Sequence, residues 1–341
     1  MTTKKPVGVG LIGAGRIGTS HGGIVSQRLT TADLVAVTDP VPGAAEKLAQ
    51  KLGCPASYTD AAALIADPNV EAVIIATPAR FHTNMVELAA NAGKAVFCEK
   101  PMALTLADAD RAIAAAKANG VALQVGFNRR WDQAFSEGFA AIASGKIGTP
   151  QLLRSLTRDP GPFRADPAKI PQWTIFYETL IHDFDTLLWL NSGAKPVEVF
   201  AVADALIRPD CKEQGHLDTA VVTIRFDNGA IAIAEANFSA LYGYDIRGEV
   251  FGSAGMVTMG DVRRSSMTLF GADGVSNDTW RLDTDHFIHG YTAQLTAFVE
   301  SVRKGQNTGP GGADARGALS IALACIESVK ANRPVRLADL K

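Results

Sequence analysis

The chain has 341 residues, of which 47% are hydrophobic and 20% are charged, and its formal net charge is −2. This composition is typical of a soluble globular protein, and the length favours two domains over a single core. The near-neutral charge gives no nucleic-acid footprint, and the apolar runs are too short to span a bilayer. We therefore expect neither a nucleic-acid partner nor membrane attachment.

The first third of the chain alternates between short apolar strand patterns and alanine-rich helix patterns. The predicted strands cover 7–12, 34–38, 72–76, 95–98 and 121–126, and the predicted helices cover 43–52, 60–66, 82–92 and 105–119. Such alternation is typical of α/β proteins with a parallel, doubly wound sheet that is covered on both faces. We assign residues 1–125 to this domain.

Beyond residue 126 the strand patterns become longer and alternate between apolar and polar residues. The predicted strands cover 151–157, 196–208, 217–226, 229–240, 246–251 and 256–259, and the predicted helices cover 132–145, 178–191, 290–304 and 312–331. A hairpin signal, Asp227-Asn228-Gly229, separates two of the strands. We therefore predict a second α/β domain at 126–341 with a large, open, mostly antiparallel sheet, and last helices that pack back toward the N-terminal domain.

The four cysteines, Cys54, Cys98, Cys211 and Cys325, are widely scattered and include no CxxC pair. This spacing indicates buried thiols in a reducing compartment, not a disulfide or zinc framework. The first residues, Met-Thr-Thr-Lys-Lys-Pro, show no secretory pattern. We expect a cytoplasmic protein without a bound metal.

A glycine-rich turn with the spacing Gly13-x-Gly15-x-x-Gly18 follows the first strand. Glycine permits a tight turn at Gly13, close approach of a pyrophosphate at Gly15 and close helix packing at Gly18. Arg16 and Ile17 then begin a helix whose free N–H groups and dipole favour bound phosphate. A glycine-rich turn without a ligand is the alternative, but the strand before it and the helix after it favour a dinucleotide.

The second strand ends at Asp39, an acidic residue in the position that contacts the ribose in dinucleotide-binding folds. Its carboxylate can accept hydrogen bonds from both ribose hydroxyls of NAD, and it would repel the 2′-phosphate of NADP. We therefore predict NAD as the cofactor.

Two loops follow the third and fourth strands of this first-domain pattern, at the carboxyl edge where such folds bind ligands. The first contains Thr77, Pro78 and His82, and His82 either caps the next helix or contacts the cofactor. The second contains the pair Glu99-Lys100 followed by proline. Beside an oxidised nicotinamide, a lysine loses its proton more readily because like charges repel. The alternative is a solvated surface lysine.

Glu178 and His182 are four residues apart in a predicted helix and would share one face of it. A carboxylate near an imidazole fixes its tautomer, and histidine titrates near neutral pH, as an acid–base residue for alcohol oxidation should. The alternatives are a purely structural pair or two ligands of a metal site, although no third ligand is apparent.

In this order the motifs resemble the glucose–fructose oxidoreductase, inositol dehydrogenase and rhizopine-catabolism (Gfo/Idh/MocA) family. The matching segments are Gly13-Ala-Gly15-Arg-Ile-Gly18, the loop from Thr77 and Pro78 to His82, Glu99-Lys100-Pro101, Gly126-Phe-Asn-Arg-Arg130 and His182-Asp-Phe-Asp185. The chain looks most like the inositol 2-dehydrogenase branch, through Thr157-Arg-Asp159-Pro and Tyr242-Gly-Tyr244-Asp. The resemblance implies a Rossmann domain, a second α/β domain and a homo-oligomer, either a tetramer or a dimer.

The resemblance also implies roles for individual residues. Lys100 would assist proton removal, and His182, next to the Glu178 carboxylate, would be the general base for a cyclitol or sugar hydroxyl. Hydride would pass from the carbinol carbon to nicotinamide C4. The substrate contacts that the family implies are Arg130, Asp159, and Tyr242 or Tyr244.

The chain departs from the branch pattern at three places near the substrate. Glu178 stands where aspartate is usual, and Trp173 replaces a glycine, filling part of the pocket and offering a stacking face for a ring. His286 stands where the branch tends to carry an arginine. Three arginines that an anionic substrate could use are Arg164, Arg263 and Arg264.

These residues favour an NAD-dependent dehydrogenase that oxidises a cyclitol or a sugar derivative. Two alternatives stay open from the sequence. One is an NAD-dependent glycoside hydrolase, in which a hydroxyl is oxidised transiently and NAD is recycled. The other is a sensor that binds NAD without catalysis, against which the presence of Lys100 and His182 argues.

Overall fold

Six short strands in the first part of the chain form one parallel sheet. They are β1 (Val7–Ile12), β2 (Ala32–Thr38), β3 (Ala56–Tyr58), β4 (Ala72–Ile75), β5 (Ala95–Cys98) and β6 (Leu123–Val125), in the order β3-β2-β1-β4-β5-β6. The residues of β1, β4, β5 and β6 are all buried, as expected where helices cover both faces. The predicted doubly wound parallel sheet is confirmed, while β3, only three residues long, was not predicted.

The helices of this region are α1 (Arg16–Arg28), α2 (Ala44–Leu52), α3 (Ala61–Ala66), α4 (His82–Asn91) and α5 (Leu106–Ala118). Local chemistry sets their ends. The side chains of Asp60 and Thr105 accept N–H hydrogen bonds at the starts of α3 and α5, and Gly53, in the left-handed conformation, ends α2. The strand order reverses between β1 and β4, which is where folds of this kind bind ligands.

The second part of the chain builds a seven-stranded mixed sheet. Its strands are β7 (Pro150–Arg158), β8 (Pro196–Asp204), β9 (Thr219–Phe226), β10 (Ile231–Asn237), β11 (Asp245–Gly252), β12 (Gly255–Met259) and β15 (Val335–Arg336). A separate hairpin is formed by β13 (Leu269–Gly271) and β14 (Gly274–Ser276). The sheet order is β12-β11-β7-β10-β9-β8-β15, with β7 and β10 parallel and the other neighbours antiparallel. The predicted mostly antiparallel sheet is confirmed.

The remaining helices are α6 (Gln133–Ala143), α7 (Leu180–Leu190), α8 (Asp283–His286), α9 (Ile288–Lys304) and α10 (Gly312–Ala331). The predicted helix at 178–191 differs from the structure, because residues Ile175–Thr179 form a π turn and α7 starts only at Leu180. A pattern with a 3.6-residue period does not reveal an i→i+5 turn.

The predicted strand 196–208 ends early, at Asp204. The buried carboxylate of Asp218 accepts hydrogen bonds from the backbone N–H groups of Leu206, Ile207 and Arg208. Those groups are therefore not available to a neighbouring strand, and the chain turns into a 3₁₀ helix at Pro209–Gln214.

The computed structural model describes residues 5–161 and 170–340. The chain divides into two compact units, Met1–Trp131 with Ile288–Arg316, and Asp132–Phe287 with Gly317–Lys341. The first unit thus includes α9, whereas the domains predicted from the sequence, 1–125 and 126–341, are each continuous. Within the described ranges, no helix is both long and apolar enough to cross a membrane.

Candidate active site

The glycine-rich turn between β1 and α1 leaves room for a ligand at one glycine and none at the other two. Gly13 has φ 107°, and a Cβ there would lie 2.5 Å from the Ala76 carbonyl oxygen, while a Cβ on Gly18 would lie 2.0 Å from the Gly13 oxygen. A Cβ on Gly15 meets no atom within 4 Å. Gly15 is also the N-cap residue of α1, and it has no side chain that could cap the helix. The first N–H groups of α1 can therefore receive an anion.

Asp39 lies directly beyond β2 and faces this turn. Its Oδ2 atom accepts a hydrogen bond from the Ala14 N–H at 2.8 Å, and its Oδ1 atom accepts one from the Val41 N–H at 2.9 Å. A cavity of about 290 Å³ opens beside it, lined by Asp39, Val41, Gly43, Ala45, Glu46, Ser57, Tyr58 and Thr59. None of these lining residues is basic, which fits a ribose without a 2′-phosphate.

His82 joins the two loops at the carboxyl edge of the sheet. Its side chain is buried, with Nε2 2.7 Å from the Thr77 carbonyl oxygen and Nδ1 2.8 Å from the Pro101 carbonyl oxygen. Pro78, next to Thr77, is exposed. The structure therefore brings Thr77, His82 and the segment after Lys100 together, and places the His82 ring as a brace between the loops.

Glu99 is buried behind Lys100, and Lys100 itself is half-buried. The Glu99 carboxylate accepts the Lys100 backbone N–H at 3.2 Å, and its Oε1 atom lies 2.7 Å from His21 Nε2. Burial raises the pKa of Glu99, but the hydrogen bond from His21 and the positive charges of His21, Lys100 and His82 outweigh it and hold the pKa below its ordinary value. His21 carried no motif signal in the sequence.

Arg130 lies in a 3₁₀ helix that follows β6, at Asn128–Trp131. Its Nη2 atom donates to Asp314 at the start of α10, at 2.8 Å, and its side chain is 12% exposed. This ion pair within the first unit fixes the guanidinium.

In the second unit, Glu178 lies in the π turn and His182 in the first turn of α7, and both are half-buried. The neighbouring Asp183 is fully buried and accepts hydrogen bonds from two hydroxyls of β7, Ser155 at 2.6 Å and Thr157 at 2.7 Å. This clip fixes the rotation of α7 and so the direction in which His182 emerges. Ser155 carried no motif signal in the sequence, and Thr157 stood only in a segment of resemblance, without a role of its own.

Trp173 precedes the π turn with φ 59°, a left-handed conformation that a bulky residue rarely adopts. Such conformations cluster at functional sites. Its ring packs on Phe176 at 6.4 Å between centroids, and the Lys330 ammonium lies 5.6 Å above it. The stacking face predicted for a ring substrate is thus in contact with protein groups of its own unit.

The segment 240–244 links Asp159, at the end of β7, to the segment that precedes His286. Ala240 N–H donates to the Asp159 carbonyl oxygen at 3.2 Å, and Tyr244 N–H donates to the Trp280 carbonyl oxygen at 2.9 Å. The Trp280 ring then packs edge-on against His286 at 5.3 Å. Trp280 is a further residue that sequence reasoning missed.

The Tyr242 hydroxyl donates to Asp245 at 2.9 Å. Burial raises the pKa of this hydroxyl, as does Asp245, against the opposite effect of Arg158. Of the arginines considered for an anionic substrate, Arg263 pairs with Asp261 and Arg264 with Asp278. Arg164 lies outside the described residues.

The sequence matches two domain descriptions of one family. Residues 7–127 match the GFO/IDH/MocA oxidoreductase family, NAD-binding Rossmann fold, and residues 139–258 match the GFO/IDH/MocA C-terminal domain. The chain belongs to the GFO/IDH/MocA family. It is an NAD-dependent oxidoreductase, as the NAD-binding turn and Asp39 predict.

The similarity to other GFO/IDH/MocA proteins extends over nearly the whole chain. The myo-inositol 2-dehydrogenase of Thermotoga maritima is 36% identical over 333 residues, which cover 97% of this chain and 99% of the relative. The inositol 2-dehydrogenase of Rhizobium meliloti is 38% identical over 336 residues, covering 96% and 98%. The scyllo-inositol dehydrogenase of Lactobacillus casei, solved with bound NAD(H) and scyllo-inositol, has TM-score 0.94 and 27% identity, covering 98% of this chain and 100% of that one.

The residues of this GFO/IDH/MocA chain fit NAD. The open space at Gly15 and the uncapped start of α1 suit a pyrophosphate, with Arg16 and Ile17 in the first turn. Asp39 and its cavity suit an adenosine ribose. In the part of the chain that the structure describes, no cluster of three or more histidine, cysteine, aspartate or glutamate side chains is arranged to hold a metal ion.

Proposed function

We propose that this protein oxidises a secondary hydroxyl of a cyclitol, such as an inositol, or of a related sugar derivative to a ketone. The supporting observation is the full-length likeness to relatives named inositol 2-dehydrogenases, together with Lys100 and His182 in the sequence segments that resemble the family. Bound NAD would supply the hydride acceptor, at nicotinamide C4.

His182 is the proposed general base. Its emergence from α7 is fixed by the clip between Asp183 and the two hydroxyls of β7, so the imidazole can receive the hydroxyl proton without reorganising the helix. Glu178, one turn earlier, is the proposed carboxylate partner of the imidazolium that forms. An imidazole that gains a proton is stabilised by a nearby negative charge.

Lys100 is the proposed second catalytic residue. Its main chain is held through Glu99 on one side and through the Pro101 carbonyl oxygen, which contacts His82, on the other. An ammonium group held in this way can donate a hydrogen bond to the substrate oxygen and stabilise negative charge as its proton leaves.

Further residues of each unit, taken separately, are proposed as substrate contacts. Arg130 presents a guanidinium fixed by Asp314, and the segment around Asp159, Tyr242, Tyr244 and His286 presents hydroxyl, carboxylate and imidazole groups. Groups of this kind suit a ring that carries a hydroxyl on every carbon. Trp173 adds an aromatic edge beside the π turn. Glu99, His82, Thr77 and Pro78 are assigned to the cofactor loops.

The NAD-dependent glycoside hydrolase is the less favoured candidate. Its support in the sequence was Trp173, as a stacking face for a sugar, together with Glu178 and the arginines; the Trp173 ring already packs on Phe176 and Lys330. To separate the two, the protein is incubated with NAD and a panel of inositols, free hexoses and simple glycosides. NADH accumulation with a cyclitol supports the proposal, whereas sugar release without net NADH would contradict it.

A homo-oligomer is proposed from the outer face of the second sheet. Val202 on β8 and Val221 on β9 lie directly opposite each other and are 59% and 45% exposed. Leu152 on β7 lies directly opposite Ile231 on β10 and Phe251 on β11, and all three side chains are exposed. Exposed apolar area of this kind marks an interaction surface. Light scattering tests this proposal. We expect the wild type to be a dimer or tetramer and the Val221→Lys variant to dissociate.

The proposed location is the cytoplasm. The four cysteines are free thiols, and three of them are buried, which suits a reducing compartment. Fractionation of the source cells with antibody detection tests this.

A further inference from the structure

His21 lies on α1 within the first unit and forms a buried pair with Glu99, 78 residues away in the sequence. The imidazole is fully buried, and its Nε2 atom is 2.7 Å from Glu99 Oε1. Burying a carboxylate is costly unless it is paired or hydrogen-bonded. The close contact therefore accounts for the charged carboxylate in a buried position.

The imidazole is held by aromatic groups on two sides. Its ring packs edge-on against Phe97 of β5 at 5.5 Å and against Tyr291 of α9 at 5.6 Å. A ring fixed in this way presents Nε2 in one direction, so the hydrogen bond to Glu99 does not depend on a mobile side chain.

The other side of the Glu99 carboxylate is closed by backbone. A Cβ on Gly126 would lie 2.9 Å from Oε1 and 3.2 Å from Oε2 of Glu99. The Gly126 N–H donates to the Cys98 carbonyl oxygen at 2.9 Å, which holds this backbone against the end of β5. Any larger residue at this position would displace the carboxylate.

The pair reaches Lys100 through both backbone and charge. Glu99 Oε2 accepts the Lys100 N–H at 3.2 Å, and the charges that act on the Glu99 carboxylate come from His21 on α1, His82 on α4 and Lys100 itself. A carboxylate close to an ammonium favours the charged form of that ammonium.

We propose that His21 is a positioning residue for Lys100: it holds the Glu99 carboxylate, which in turn orients Lys100 through its main chain. The inference rests on the proposed function for its catalytic meaning, since Lys100 is there a donor to the substrate oxygen. A nicotinamide cation favours loss of a proton from the Lys100 ammonium, and the negative charge of Glu99 acts in the opposite direction.

The test measures the reactivity of Lys100 in the protein without substrate. Acylation by acetic anhydride, followed by peptide mass spectrometry, reports the uncharged fraction of each lysine as a function of pH. The variants are His21→Leu, which removes the donor, His21→Gln, which keeps one, and Glu99→Gln, which keeps an acceptor for His21 but removes the charge. Val25→Ala is the control, because Val25 is also buried on the same helix and has no polar group to offer Glu99.

We expect Lys100 in Glu99→Gln to acylate about tenfold faster at a fixed pH near 8, because the negative charge beside it is lost. In His21→Leu the Lys100 rate should differ from the wild type by at least about threefold, because the Glu99 carboxylate is no longer held. His21→Gln should lie within about twofold of the wild type, and Val25→Ala should lower stability without changing Lys100. Equal Lys100 rates in the wild type and in either His21→Leu or Glu99→Gln would overturn the inference. Glu99→Gln carries the test if His21→Leu does not fold.

A second measurement links the pair to catalysis. With a cyclitol that the wild type oxidises, kcat should be lower in His21→Leu, while the dissociation constant of NAD stays within about threefold of the wild-type value. The His21→Gln variant should retain most of the wild-type kcat. A parallel loss of NAD binding in both variants would contradict a positioning role. If the wild type oxidises no cyclitol, the proposed function fails, while the acylation rates still decide whether the pair controls Lys100.

Discussion

Asp39 is tied to Ala14 by a hydrogen bond from the Ala14 N–H to the Asp39 Oδ2 atom, 2.8 Å long. The bond joins the end of β2 to the glycine-rich turn across 25 residues of sequence. Each oxygen of a carboxylate has two lone pairs, and each Asp39 oxygen accepts one backbone N–H. Asp39 can therefore shape the turn and still accept two ribose hydroxyls.

Asp39→Ala should weaken NAD binding by about 10- to 100-fold, because hydrogen bonds to a charged acceptor contribute roughly 1.5–3 kcal/mol. The affinity for NADP should fall less, since a repulsive charge is lost as well. Titration calorimetry with both nucleotides measures this, with Asp33→Asn, an exposed residue on the same strand, as control. Unchanged NAD affinity would remove Asp39 from the site.

Gly15 and Gly18 should respond to alanine in opposite ways. Gly15 has φ −70° and open space at its Cβ position, so Gly15→Ala should keep the melting temperature of the apoprotein but lose NAD binding. Gly18→Ala places a methyl group 2.0 Å from a carbonyl oxygen and should destabilise the apoprotein. Gly23→Ala, on the same helix with open space, should be neutral or stabilising by up to about 1 kcal/mol.

The Asp183 clip should matter for stability. Asp183→Ala leaves the Ser155 and Thr157 hydroxyls buried without their shared acceptor, which costs about 1–3 kcal/mol of unfolding free energy. Asp261→Asn, at an ion pair about half exposed, should change stability by less than about 1 kcal/mol. Urea unfolding measures both variants. Equal effects would show that the clip does not hold α7.

The thiols should differ in reactivity. Burial raises the pKa of Cys98 and Cys325 well above the ordinary value, and raises the pKa of half-buried Cys54 as well. Because the thiolate is the nucleophile, native protein near pH 8 should react with iodoacetamide first at Cys54, with Cys98 and Cys325 labelled only after unfolding. Rapid labelling of Cys98 in folded protein would contradict the buried position of β5.

Glu99 should give the protein an acid-sensitive contribution to stability. Its folded-state pKa lies below the ordinary 4.5, so this stability is present above pH 4.5 and is lost as the pH falls through the folded-state pKa. The melting temperature of the wild type should therefore fall more steeply between pH 5 and acid than that of Glu99→Gln. Parallel curves would contradict an ionised Glu99.

Much of the fold could be predicted because its signals are local. The apolar runs of β1 and β5 and the alternation of β9 each lie within one segment. What could not be predicted depends on distant partners or on very short elements. The early end of β8 follows from the Asp218 side chain, and β13 and β14 have three residues each.

The same division holds at the candidate site. The geometry of the glycine-rich turn could be predicted from the spacing of Gly13, Gly15 and Gly18, because each glycine acts through its own backbone. His21 and Glu99 meet only after the parallel sheet has formed, across 78 residues. The π turn before His182 was hidden because its residues also fit a helical pattern.

The central claim is that hydride leaves a ring carbon of a cyclitol and stays on the nicotinamide. Incubation with NAD and inositol carrying deuterium on every ring carbon, followed by mass spectrometry of the nucleotide, tests this directly. We expect NADH with one deuterium per molecule, formed in step with the ketone and lost in the Lys100→Ala and His182→Ala variants. No deuterated NADH with any inositol isomer would contradict it.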